Sequence, residues 1–348
     1  MSKRPVIERE KQFLTIKAKM IRKETLRLTD ICGSGHYGSA FSIVELLVVL
    51  YYRLLHVRPS EPNWKDRDRF TMGKGHAAIA LYPLLSDLGF FPTTDLDGYT
   101  RLGSSLGDHP DMKKVKGADF SSGSIGHNLS VSLGMALGLR AKGSLARVIC
   151  LMGDGEQTEG QIWEAAISAA HFNLENLIGI VDINTVGSDG KTKEVMNTEP
   201  LSDKWKSFGW NVIELKDGHN FNLVFEALDA AINGINPGPS VVLANTIAGK
   251  GVSFMENEPI WHYRSPTKEE YSIRLNNVKK KMSEKNLDIL ILSDPSNMNY
   301  LSGYDGWSFY VPQGVIVSLD KDEPIWFGRK QDSKGAMITT YLNHDNIL

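Results

Sequence analysis

The chain has 348 residues, 41% hydrophobic and 23% charged, with a formal net charge of −2. That composition supports one large folded domain plus a smaller one and excludes the basic footprint expected of a protein that binds nucleic acid or an anionic membrane. Cys32 and Cys150 lie far apart without metal-type spacing, which points to a reducing cytoplasm rather than a disulfide framework. A charged start without a signal-type apolar core, and no run near ~20 apolar residues, give no membrane span.

In chain order, residues 13–28 read as a basic amphipathic helix. A glycine-rich turn at 33–38 introduces an apolar helix over 42–55, and 77–88 forms a third helix behind His76. The stretch 130–142 is rich in Gly and Ala, suited to close packing. Residues 147–152 and 176–181 are apolar runs of the kind found in buried parallel strands, and 159–171 between them is helical. Further along come a strand at 211–215, a helix at 222–232 and a strand at 240–247 that runs into Ala248-Gly249-Lys250-Gly251. This alternation predicts an α/β fold, a doubly wound parallel sheet with helices on both faces.

Gly153-Asp154-Gly155 ends the first of the two apolar runs, and Asn184 follows the second, 30 residues beyond Asp154. In a βαβ unit both strands run the same way, so the two side chains emerge at one sheet edge, where ligands of open α/β sheets bind. Neighbouring strands lie only ~5 Å apart, so a carboxylate and an amide oxygen could share one hard cation.

This spacing resembles the thiamine-diphosphate-binding motif, and the surrounding segments are similar to the transketolase family. The residues that carry the likeness are Gly35-His36-Tyr37-Gly38-Ser39, Met72-Gly73-Lys74-Gly75-His76-Ala77, Gly107-Asp108-His109-Pro110-Asp111, Phe120-Ser121-Ser122-Gly123-Ser124-Ile125-Gly126, Trp163-Glu164-Ala165-Ala166 and Met196-Asn197-Thr198-Glu199-Pro200. The resemblance spans roughly 10–266. It implies the diphosphate-binding half of a transketolase that moves a two-carbon ketol unit from a ketose to an aldose, with thiamine diphosphate and Mg²⁺ or another divalent cation as cofactors. It implies Asp154, Asn184 and the Val186 carbonyl as metal ligands; His76, Gly123, Ile125, Asp154, Gly155, Glu159, Asn184 and His262 as cofactor-binding residues; and His36, His76, His109 and His262 as catalytic residues. Glu159 and Glu164 would sit at a subunit interface, and His127 stands where the family commonly has Gln. The family's catalytic glutamate belongs to a following pyrimidine-binding domain with no equivalent here, so the expected partner is a complementary C-terminal transketolase subunit. The expected assembly has two of each chain and takes sugar or sugar-phosphate substrates. A non-catalytic cofactor-binding fusion and a 1-deoxyxylulose-5-phosphate synthase-like subunit remain alternatives.

After residue 266 the sequence changes character. Residues 268–285 form an amphipathic helix with Tyr271, Leu275, Val278 and Met282 on one stripe, 288–292 is a strand, and 313–319 pairs with 324–327 in a hairpin around Asp320-Lys321-Asp322. The segment from Ser293 to Trp307 resembles the start of the N-terminal domain of the creatinase and aminopeptidase-P family. The expected organisation is therefore 1–266 for the transketolase-like domain and 267–348 for a partial, non-catalytic creatinase-type α/β domain.

Overall fold

The computed structural model describes residues 7–32, 35–234, 237–262, 268–304, 306 and 311–348. The charged start over 1–6, the first part of the turn expected at 33–38, the junction at 266 and the motif residues Asp305 and Trp307 lie outside them. The chain divides into two compact units, Met1–Arg264 and Ser265–Leu348.

The first unit runs α1 (Glu8–Cys32), α2 (Tyr37–Ser42), α3 (Val44–Val49), β1 (Arg69–Met72), α4 (Ala78–Leu88), α5 (His127–Ala141), β2 (Val148–Gly153), α6 (Gly160–His171) and β3 (Leu177–Ile183). It continues through β4 (Val186–Gly187), β5 (Gly190–Lys191), α7 (Thr192–Val195), α8 (Leu201–Ser207), β6 (Asn211–Leu215), α9 (Phe221–Asn233) and β7 (Ser240–Asn245). Five strands form one sheet in the order β1-β2-β3-β7-β6, every neighbouring pair parallel. The two strands that deliver Asp154 and Asn184 are direct neighbours, with Gly153 opposite Asp182.

Alternation along the strands sends side chains into two cores. Ile149, Leu151, Ile178, Ile180, Val242 and Ala244 pack with Leu14, Leu47, Leu84 and Leu228 of α1, α3, α4 and α9. Val148, Cys150, Met152, Leu177, Val181, Val241 and Leu243 pack with Leu129, Ile162, Ala166 and Trp205 of α5, α6 and α8. Both faces are thus covered, which is why these strands read as unbroken apolar runs. This is the doubly wound parallel sheet expected from the sequence.

Several boundaries differ from expectation. The apolar helix expected at 42–55 begins at Tyr37, breaks at Ile43 and ends in a π-helical turn over Leu50–Leu54. Gly38 belongs to the first turn of α2: a Cβ there would lie 3.3 Å from the Trp261 carbonyl oxygen, so close backbone approach is what calls for glycine. The helix α5 starts at His127 itself, so imidazole at this position is compatible with the turn. The strand β1 is four residues long and opens on a charge, too short for its periodicity to announce it.

The second unit holds α10 (Lys268–Glu284), β8 (Ile289–Leu292), α11 (Pro295–Ser302), β9 (Gly314–Ser318), β10 (Ile325–Phe327) and α12 (Ser333–Thr339). Its three strands pair antiparallel in the order β10-β9-β8, with the expected hairpin between β9 and β10. Leu275, Met282, Leu301 and Val317 form one small core, and Met298, Tyr304, Val315 and Trp326 belong to another. Among the described residues, no helix is long and apolar enough to cross a membrane.

Candidate active site

At the carboxyl edge of the five-stranded sheet lies a cavity of about 320 Å³. Its wall includes His76, Ile125, Asp154, Gly155, Asn184, Val186 and His262, together with Lys74 and Glu156.

Beneath it sits Asp182, fully buried near the end of β3. Its carboxylate accepts from Ser42 Oγ at 2.6 Å and Asn184 Nδ2 at 2.9 Å, and also from Lys74 Nζ and Thr246 Oγ1. One buried anion thereby gathers α2, the turn after β1, the turn after β3 and the loop after β7. Because the Asn184 amine is committed to Asp182 and Ser42, its Oδ1 is turned the other way, where it accepts from Val186 N at 3.0 Å. The amide orientation is set by its neighbours, and the oxygen keeps a second lone pair.

Asp154 accepts from Gly155 N and Thr185 N, each at 2.9 Å, and from Thr192 Oγ1 at 3.1 Å. Burial pushes its pKa up to about 6, reinforced by the nearby Asp182 and opposed by Lys74. A carboxylate held this way gains from an added positive charge. Asp154, the Asn184 amide oxygen and the Val186 carbonyl are all hard oxygen donors, the ligand type Mg²⁺ prefers. Among the described residues no group of three or more His, Cys, Asp or Glu is placed to hold a metal, so a cation here needs further oxygens from a ligand or water. On its donor chemistry the site fits a divalent cation carrying a diphosphate.

The four histidines from four separate segments come together. The His36 ring centre lies 4.9 Å from His76, 6.1 Å from His262 and 6.4 Å from His109, and His76 lies 5.5 Å from His262. Ser39 Oγ is 3.1 Å from His76 Nε2, and the His262 ring is hydrogen-bonded to the Val186 backbone. Burial holds His76 well below the usual histidine range. It lowers His36 to about 4 against the opposing pull of Asp108, and His262 also to about 4, helped by Lys74. These three are neutral imidazoles near pH 7, able to donate and accept hydrogen bonds. Asp108 lies 3.5 Å from His109 Nδ1 and accepts from the Tyr99 hydroxyl at 3.1 Å.

Two expected cofactor-binding residues stand apart from the cavity wall. Gly123 lies on the His109 side, and Glu159 packs against Gly126 at the N-cap of α6. Glu164 is exposed on that helix. Sequence reasoning missed Asp182, Lys74 and Glu156. A lone carboxylate in the apolar run 177–183 was the available signal for Asp182, since an acid is buried only when paired. Glu156 is buried, accepts from Gly126 N and Gly153 N, and is pushed up to about 7 by desolvation against those two hydrogen bonds.

Comparison with known proteins agrees with this geometry. The family described as transketolase, thiamine diphosphate binding domain, matches residues 15–282, and the creatinase/prolidase N-terminal domain matches 274–337. The 6-deoxy-6-sulfo-D-fructose transketolase subunit SqwG of Clostridium sp. (strain MSTE9) is 42% identical over 72% of this chain and 91% of its own. An apulose-4-phosphate transketolase subunit of Phocaeicola vulgatus is 35% identical over 78% of this chain and 96% of its own. The crystal structure of transketolase from Campylobacter jejuni matches with a TM-score of 0.69 at 25% identity, covering 80% of this chain and 43% of that one. The chain thus spans less than half the length of that solved transketolase. In sequence and in fold this chain belongs to the transketolase family, carrying its thiamine diphosphate binding domain, with a creatinase-type N-terminal domain match in its C-terminal unit.

Proposed function

We propose that this chain is the diphosphate-binding subunit of a split transketolase, which transfers a two-carbon ketol unit from a ketose to an aldose. The observation that supports it most is the convergence of Asp154, Asn184, Val186, His76 and His262 on one cavity. Asp154, Asn184 Oδ1 and the Val186 carbonyl would hold Mg²⁺ against the diphosphate, and Lys74 and Asp182 would keep the amide and its turn in place. Thiamine diphosphate, when bound, supplies the electron sink that ketol transfer requires. His76 and His262 line the cavity, and as neutral imidazoles they would donate to or accept from groups near the thiazolium. His36 and His109, one ring further out, would orient the donor hydroxyls and move their protons.

The names of the two relatives above describe transketolase subunits, which favours a complementary subunit that completes the site. The proposed assembly has two of each chain and acts on sugars or sugar phosphates. Nothing observed favours the 1-deoxyxylulose-5-phosphate synthase alternative. Residues 1–266 would carry this function, with 267–348 as a non-catalytic partial domain.

The test is reconstitution. The chain is mixed with a candidate complementary subunit, thiamine diphosphate and Mg²⁺, and ketol transfer is followed over a donor panel that includes 6-deoxy-6-sulfo-fructose and apulose 4-phosphate. Transfer should require both chains. Equal turnover by this chain alone would overturn the split-subunit reading.

A further inference from the structure

Three turns each give the cavity a wall residue: Lys74 after β1, Ile125 before α5 and Asp154 after β2. One side chain touches all three turns. Glu156, 2% exposed, accepts the Gly126 N–H on Oε1 at 2.8 Å and the Gly153 N–H on Oε2 at 3.1 Å. A Cβ added at Gly73 would fall 2.4 Å from Oε1 and 2.5 Å from Oε2, so the carboxylate lies against the bare Cα of the third turn. Each of these glycines precedes or follows one of the wall residues directly.

We propose that Glu156 is a positioning residue for the cofactor: its two oxygens tie the turns at Gly126 and Gly153 together across Gly73, setting the spacing of Lys74, Ile125 and Asp154 around the diphosphate. The inference rests on the reading of the cavity as a thiamine diphosphate site. A carboxyl group suits the task because each of its two oxygens can accept, and a hydrogen bond from backbone N–H to an ionised oxygen is stronger than a neutral one. The isosteric amide cannot replace it. A glutamine has one oxygen for two N–H groups, and its amine would face the other as donor against donor, leaving a buried N–H unsatisfied. Glycine at 73 is part of the same device, since any larger residue there would displace the carboxylate. The groups that hold the Asp154 carboxylate directly are Gly155 N, Thr185 N and Thr192 Oγ1, so Glu156 acts on the backbone turn behind the ligand and not on the ligand's own oxygens.

The experiment uses the full chain as parent, Glu156→Gln and Gly73→Ala. Amide hydrogen exchange at Gly126 and Gly153 should be at least about tenfold faster in Glu156→Gln. Calorimetric titration of the reconstituted enzyme with thiamine diphosphate at fixed Mg²⁺ should show about 10–100-fold weaker binding, the usual loss when a supporting partner of a metal ligand is removed. In the reconstituted enzyme the apparent KM for the cofactor should rise by the same factor, with kcat at saturating cofactor within about twofold of the parent. A general loss of structure would not produce that split. Gly73→Ala keeps the carboxylate but puts a methyl where its oxygens lie, and should reproduce both effects; it carries the test if the glutamine variant does not fold. Unchanged exchange at both glycines, or cofactor affinity within twofold of the parent in a folded variant, would overturn the proposal. A reconstituted parent enzyme that binds no thiamine diphosphate would overturn the cavity reading instead, and the exchange measurement would still decide whether Glu156 joins the turns.

Discussion

The two ends of the five-stranded sheet both bury carboxylates, and they use them differently. At the amino end, Asp68 accepts from His56 N and Arg147 N, each at 2.8 Å. Asp119 accepts from Phe70 N at 2.8 Å and from the two terminal guanidinium nitrogens of Arg67. Each of these oxygens is met by a donor from the chain itself, and together they staple strands to loops. At the carboxyl end, Asp154 and Glu156 line a cavity, and burial pushes them up to about 6 and about 7. Their oxygens too are met by donors from the chain, yet desolvation outweighs those hydrogen bonds. A buried acid whose hydrogen bonds do not offset its desolvation, beside the cavity that Asn184, Val186 and His262 also line, marks a place for a positively charged ligand.

The largest effect should come from exchanging these roles by mutation. Asp154→Ala is expected to weaken thiamine diphosphate binding by more than about 100-fold, since loss of a mere supporting partner already costs about 10–100-fold. The apo chain should keep its thermal midpoint to within a few degrees, because relief of the buried charge, on the order of 3 kcal/mol, offsets the acceptors that Gly155 N and Thr185 N lose. Asp68→Ala should do the reverse. Two buried N–H groups lose their acceptor, which costs about 2–5 kcal/mol at about 1–3 each, while the folded protein keeps its cofactor affinity. Urea melts and calorimetry on both variants read this directly. A stability loss in Asp154→Ala that matched Asp68→Ala would erase the distinction.

A pH series sharpens the same contrast. The native pKa of Asp154, about 6, lies above the ordinary aspartate value of 3.8. As pH rises from about 4 to 6, the unfolded chain loses this proton before the native chain does. The native state then binds more protons, so stability falls with rising pH and levels off above about 6. The contribution is on the order of 3 kcal/mol, at about 1.4 kcal/mol per unit. Asp154→Asn removes that titration, and its altered hydrogen bonding costs the same at every pH. The stability of Asp154→Asn relative to the parent should therefore increase between pH 4 and pH 7 in the apo chain. A difference that stays constant across this range would mean that burial does not raise the pKa of this carboxylate.

The residues legible in the sequence were those whose signal is local or periodic. Asp154 and Asn184 could be paired because each ends an apolar run, and parallel neighbours bring such ends together. The four histidines were found only through resemblance, because nothing in their spacing says that 36, 76, 109 and 262 share one site. Asp182 and Glu156 stayed hidden for a physical reason. Their importance lies in burial and in bonds to Ser42, Lys74, Thr246 and Gly126, far from them along the chain, and none of this follows from the identity of adjacent residues. The break at Ile43 was equally hidden, since the apolar pattern from 42 to 55 continues unbroken across it.

The two units of the chain offer a second, milder contrast. The sheet of the first is covered on both faces, whereas that of the second leaves Ile289 and Ile291 of β8 at 59% and 62% exposed. Among the described residues, the buried polar side chains of the second unit are Ser302 and Gln313, both uncharged, and none of its residues lines the cavity.

The smallest effect is therefore expected from removing that unit. The transketolase family match reaches residue 282, yet α10 packs its Leu275 and Met282 against Leu301 and Val317, and Tyr271 stacks on Tyr341 at 4.6 Å. By packing, α10 belongs with the second unit. Ending the chain after Lys268 removes the helix with its partners, and thiamine diphosphate affinity should stay within a few-fold of the parent. Ending it after Lys285 strips the partners but leaves the helix, exposing the apolar stripe of Leu275, Val278 and Met282. That chain should bind cofactor equally well but self-associate, because an uncovered apolar face seeks another surface. Calorimetry and light scattering on the two truncations separate the outcomes. If the shorter chain folds yet loses cofactor affinity by tenfold or more, the second unit contributes to the site and the contrast between the units fails.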